Sequence, residues 1–146
     1  MSHQDTELVN VSDLARSRAE LGAAFTRILG YFREDGVKSI HAIEEAFRAR
    51  NAAALVTPAH TLKGESLQFG AYRLSVMAQH IEMTARRCVE TREGPEELIE
   101  TVVALRPCFS ETMAVLDRDS SPLATRRPTT FGRRAEPPVA GFGRAG

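Results

Sequence analysis

The residues of this 146-residue chain best placed to do chemistry are His60, Lys63, Gly64 and Leu67. On a helix, positions three, four and seven apart share a face. The four therefore make one stripe, offset from the apolar stripe of Leu55, Leu62 and Phe69. That spacing predicts an exposed imidazole beside an ammonium, with a bare glycine one turn along and no acid three or four positions after the histidine. A neutral imidazole is a nucleophile, and near neutral pH most imidazole is in that form. A neighbouring cation favours the neutral ring and would stabilise a phosphoryl group once attached. Gly64 strips bulk from beside the nucleophile, so another protein's site can come close. The set suits a phosphohistidine. A lone exposed histidine is usually a plain surface residue, and an internal helix glycine costs about 1 kcal/mol against alanine. Both draw their meaning from the pattern around them.

The elements that must position these residues read as helices. Leu21, Ala24, Phe25, Ile28, Leu29 and Phe32 recur at three- and four-residue steps, which predicts a helix from about Ser17 to Glu34, with a break or bend at Asp35-Gly36. A second stripe at Ile40, Ile43, Ala46 and Phe47 ends near Arg50-Asn51, where Asn51 can cap the next helix. A third helix, about Ala52 to Phe69, buries Leu55, Ala59, Leu62, Ser66 and Phe69. Pro58 conflicts with it, because an interior proline removes a hydrogen bond and clashes with the carbonyl four residues back. Either the helix kinks, or a new one starts with Thr57 as N-cap and Pro58 at its first position, which would place His60 in a first turn. Gly70 is the expected C-cap. A fourth helix follows from about Tyr72 to Arg92, and a fifth starts at Gly94-Pro95, with Pro107 a possible bend. The remaining Met and Phe residues read as core. Short turns between long amphipathic helices predict an all-α antiparallel four-helix bundle with one or two extra N-terminal helical segments. Residues 1–10 are expected as a flexible lead-in, 11–119 as the bundle and 120–146 as a disordered tail.

Around the chemical stripe stands a longer pattern: His60-x-Leu62-Lys63-Gly64, then Ser66, Gly70-Ala71, Leu74 and Ile81-Glu82. It resembles the signature of histidine-containing phosphotransfer domains. The resemblance spans about Leu21 to Leu116 in helix layout and His60 to Glu82 in specific motif. It implies a four-helix bundle with His60 exposed on the second bundle helix and phosphorylated at Nε2, Lys63 in the family's lysine role and Gly64 as the access glycine. Family members often carry Gln or Glu at the position of Glu82. An ionised Glu82 cannot donate to phosphate, but it can hold Lys63 or the imidazole. Gln79 and Arg86, one turn to either side, are possible supporting donors. Leu67 and Gly64 are expected in the docking patch. The implied partners are receiver domains of response regulators or hybrid histidine kinases, and the receiver would supply the aspartate and Mg²⁺, leaving this chain without a cofactor or metal of its own. The resemblance also implies a monomeric phosphocarrier without independent turnover. Two other readings stand beside it: a module that docks a receiver to regulate it without transfer, and a helical metal-binding protein using His60, Glu82 and a further ligand.

Composition narrows the field. From Ser120 to Gly146 five arginines face one acid, so the tail is net positive and the remainder correspondingly acidic within a formal net charge of zero. No global basic field invites nucleic acid. Cys88 and Cys108 form no CxxC pair, which favours reduced thiols in a cytoplasmic protein. No apolar run approaches the roughly 20 residues of a membrane span, and the polar start gives no export signal. Gly141 to Gly146 matches GxGxxG in letters only, without a strand before it or a helix after it. No ATP-binding loop occurs, so autophosphorylation is not expected. His3, His41 and His80 carry no supporting pattern, and His80 should point away from the face of Glu82.

Overall fold

The computed structural model describes residues 3–120. The Arg-rich tail and the Gly141–Gly146 motif lie outside the described residues. A 3₁₀ turn at His3–Asp5 leads into five helices: α1 (Val11–Leu21), α2 (Phe25–Arg48), α3 (Ala52–Gln68), α4 (Tyr72–Thr91) and α5 (Ile99–Ser120). No strand occurs among the described residues. Helices α2 to α5 are the four bundle helices, and α1 is the extra N-terminal one.

Local chemistry sets the boundaries. Asn10 and Asn51 cap α1 and α3, each side-chain oxygen accepting from the backbone N–H three residues on, at 2.9 and 3.1 Å. Gly70, at a φ of 69°, turns α3 into α4 in the left-handed region that glycine tolerates. Pro95 precedes a 3₁₀ turn, Glu96–Leu98, that leads into α5.

Two boundaries differ from the sequence expectation. The break falls at Gly22, with a φ of 54°, and α2 runs unbroken through Asp35-Gly36. Gly36 sits within the helix with the ring of Phe109 packed in the space a side chain would need: a Cβ there would lie 2.4 Å from Phe109 Cε1. At Pro58, α3 also continues. The alternative with Thr57 as N-cap is excluded, so His60 lies well inside the helix, away from the first-turn dipole.

The core is an aromatic cluster extended by aliphatic layers. Phe32 stacks on Phe69 at 5.2 Å and meets Phe109 edge-on at 5.8 Å, and Phe25 meets Phe69 edge-on at 5.6 Å. Ile40, Ile43, Leu55, Leu62, Leu74, Ile81 and Leu105 are completely buried. Met77 belongs to this core, whereas Met83, read as core from sequence, is 60% exposed. Antiparallel order follows from cross-helix pairs: His60 with Glu82 across α3 and α4, and Phe32 with Phe109 and Glu44 with Arg106 across α2 and α5.

The lead-in expected to be flexible is hydrogen-bonded to the bundle. Asn10 N–H donates to the Gly70 carbonyl at 2.8 Å, and Arg73 Nε donates to the Thr6 carbonyl at 2.9 Å. His3 lies 3.3 Å from Thr101 Oγ1, and its ring sits 5.3 Å from that of His80. Both cysteines are buried and free. No described helix is long and apolar enough to cross a membrane.

Between α2 and α3, the carboxyl groups of Glu65 and Asp35 lie against each other. Burial, then hydrogen bonding and charge from Asp35, push the Glu65 carboxyl up to about 7. An acid raised above its unfolded value of 4.5 binds an extra proton in the folded state between those pH values, so its contribution to stability falls as pH rises through that window. His3, held below its ordinary value by burial and then by His80, acts in the opposite direction. Urea denaturation of wild type against Glu65→Gln at pH 5 and pH 8 separates the two. Wild type should lose stability relative to the variant on going to pH 8. A constant difference between the two proteins would mean that the Glu65 carboxyl is not raised in the folded state.

Candidate functional site

The α3–α4 hairpin places His60 opposite Glu82, because α4 returns antiparallel to α3 after the turn at Gly70. The 3.6-residue period of α3 puts Leu62 and Ala59 in the core and His60 outside, with its side chain 63% exposed. On α4, Ile81 and Ala85 are buried, and Glu82 sits at the edge of that face, 4% exposed.

A buried carboxylate demands partners, and Glu82 has three. Its Oε2 lies 3.0 Å from His60 Nδ1 and accepts from Arg86 Nε at 3.1 Å and from an Arg86 terminal nitrogen at 2.8 Å. Lys63 Nζ stands 3.0 Å from Oε1, an ion pair short of good hydrogen-bond alignment. Burial works to raise the Glu82 carboxyl, but Arg86, then Lys63 and His60, outweigh it and hold the group at about 2. The carboxylate is therefore ionised at neutral pH. Its contribution to stability is complete above 4.5 and is lost only as the pH falls towards 2.

The tautomer of His60 follows. An ionised carboxylate can only accept, so Nδ1 carries the proton towards Glu82. In the neutral ring this leaves the lone pair on Nε2. Two cations against one carboxylate give the cluster one net positive charge beside that nitrogen. Both Glu82 oxygens are already engaged by cations, which disfavours the reading of His60 and Glu82 as metal ligands. No group of three or more His, Cys, Asp or Glu suited to a metal occurs among the described residues.

Of the residues singled out in the sequence, the structure brings His60, Lys63, Glu82 and Arg86 together. Gly64 and Leu67 are exposed on the same outer stripe of α3, Leu67 at 51%. Gln79 is exposed but is not among the partners of Glu82; it lines the neighbouring groove between α4 and α5. Sequence reading placed Arg86 near the site but missed its bond to Glu82, although the i,i+4 spacing signals such a pair. It also missed the pairing of Asp35 with Glu65, which no local spacing reveals.

Gly64 separates packing from access. A Cβ there would meet nothing within 4 Å, in contrast to Gly36. Gly30 is equally open, so openness alone does not single out Gly64; its place one turn from His60 does. Gly64→Ala should raise stability by about 1 kcal/mol through helix propensity. The same variant should slow any reaction that needs a second protein over His60. Chemical denaturation checks the first effect and transfer kinetics the second.

A helical bundle that presents one imidazole on its flank, with the ring fixed from behind by a buried carboxylate and flanked by cations, is built for chemistry shared with a partner. The Hpt domain family matches residues 27–117, and the chain belongs to that family. Its members have a phosphotransfer role in two-component signalling and interact with the receiver domains of phosphorelay proteins. No curated protein and no solved structure matches the chain.

Proposed function

We propose that His60 accepts a phosphoryl group at Nε2 from the aspartyl phosphate of one receiver domain and passes it to the aspartate of another. The observation that carries this reading is the contact of Glu82 with Nδ1, which leaves the Nε2 lone pair outward on a side chain 63% exposed. The Nε2–P bond forms as the bond from phosphorus to the aspartyl oxygen breaks, and the aspartate leaves as a carboxylate. The phosphorylated ring keeps its proton on Nδ1 and is cationic, and Glu82 stabilises that charge. Lys63 and Arg86 face the incoming phosphoryl oxygens with charge already in place, so catalysis is positioning and electrostatics. The receiver supplies the phosphorylated aspartate and the Mg²⁺. Gly64 and Leu67 lie where the receiver closes over the imidazole, whereas Gln79 faces the α4–α5 groove and takes no part.

The test mixes the chain with a receiver phosphorylated on its aspartate. Label that is acid-labile and base-stable should appear on the chain. Its absence with a competent receiver would leave a docking module without transfer. Lys63→Ala removes one charge-assisted contact of about 1.5–3 kcal/mol, which predicts transfer slower by about 10- to 100-fold. An unchanged rate for this variant, with the fold intact by circular dichroism, would take the role from Lys63.

A further inference from the structure

On the far side of α4 from α3 lies a feature that phosphoryl transfer at His60 does not use. An open groove of about 1130 Å³ runs between α4 and α5, with His3 and Thr6 of the lead-in forming part of its wall. Its two rims carry large apolar side chains in water. Val76 and Met83 stand on α4, 39% and 60% exposed, and Val103 on α5 is 66% exposed. Val76 and Met83 are seven residues apart, two helical turns and about 10 Å along the axis. Pro107 lies one turn beyond Val103 on the α5 rim. Two parallel apolar rails at this spacing fit a third helix, whose residues at i, i+3 or i+4, and i+7 would seat between them.

Charge selects among occupants. The groove is lined by three carboxylates, Glu97, Glu100 and Glu111, and one guanidinium, Arg73. Arg73 is held by the Thr6 carbonyl and Glu97 by Arg87, while Glu100 and Glu111 stand exposed on α5. An acidic rim repels nucleic acid and anionic lipid and attracts lysine and arginine. We infer that the α4–α5 groove is a second docking surface, which takes a basic amphipathic helix from a protein partner. It binds that helix by apolar contact along the rails and by charge at the rim. The site is separate from His60, which lies across α4, and the inference does not depend on the transfer reaction.

The experiment titrates the full chain into a fluorescent synthetic peptide of about four helical turns, with leucines on one face and lysine and arginine elsewhere. Two controls accompany it: the same composition with the leucines scrambled off the face, and the same pattern with glutamate in place of the basic residues. Only the basic amphipathic peptide should bind, and backbone amide shifts should centre on Val76, Met83 and Val103. The double variant Met83→Lys, Val103→Lys changes two exposed side chains, so it should fold like wild type. It should bind the peptide at least about tenfold more weakly while accepting phosphoryl label from a receiver at the wild-type rate. The inference is overturned if the scrambled peptide binds as well, if the shifts centre on His60 to Leu67, or if the double variant binds like wild type. It is equally overturned if sedimentation shows wild type self-associating and the double variant monomeric, because the groove would then belong to a second copy of this chain.

Discussion

His60→Gln is expected to reduce phosphoryl acceptance from a phosphorylated receiver to background without unfolding the bundle. Glutamine lacks a nitrogen lone pair able to attack phosphorus, because its amide nitrogen is delocalised. Its NH₂ can still donate to Glu82, so the buried carboxylate keeps three partners and the change removes the nucleophile alone. The side chain replaced is 63% exposed, so little packing goes with it. Acid-labile, base-stable label, followed with matched circular dichroism spectra, checks both halves. Label persisting on the variant at the wild-type level would place the acceptor elsewhere.

Phe32→Ala should have the largest effect on stability, a loss of about 3–5 kcal/mol. Its ring is 2% exposed and joins Phe69 at the C-terminal end of α3 to Phe109 on α5, so its removal opens a cavity where three bundle helices meet. Whole domains are stable by only about 5–15 kcal/mol, so the variant should sit near the edge of folding. Leu67→Ala, at a comparably apolar but 51% exposed position, should stay within about 0.5 kcal/mol of wild type. Urea denaturation of the two variants measures the contrast. Equal losses would mean that the aromatic cluster is not the centre of the core.

Most of this arrangement was legible in the sequence wherever the information is local. The faces of α3 and α4 could be read from three- and four-residue steps, the caps from Asn51 and Gly70, and the chemical stripe from His60, Lys63 and Gly64. What could not be read depends on partners distant in sequence. Gly22 and Gly36 carry the same local propensity, yet one breaks a helix and the other continues it, with the Phe109 ring packed against Gly36 from 73 residues away in sequence. Pro58 breaks helices by local rules, but Leu55, Ala59 and Leu62 are completely buried around it, and that packing keeps α3 helical through the proline position. Asp35 reads as a turn residue and instead pairs with Glu65, because the register of α2 against α3 sets two acids opposite each other. Glu82 was marked by the motif as a supporting residue. Its position as the point where His60, Lys63 and Arg86 converge follows only from α4 lying beside α3.

That convergence has a consequence for how such proteins diversify. His60, Lys63, Glu82 and Arg86 all lie on one hairpin, and their mutual contacts involve neither α2 nor α5. The His60 cluster is thus a self-contained cassette of α3 and α4. The exposed surfaces of α2 and α5 are free to drift and to acquire new binding preferences while the imidazole keeps its tautomer and its cations. Rewiring a signalling circuit through this bundle would then be a matter of repainting its outer helices, with the reacting atoms left untouched.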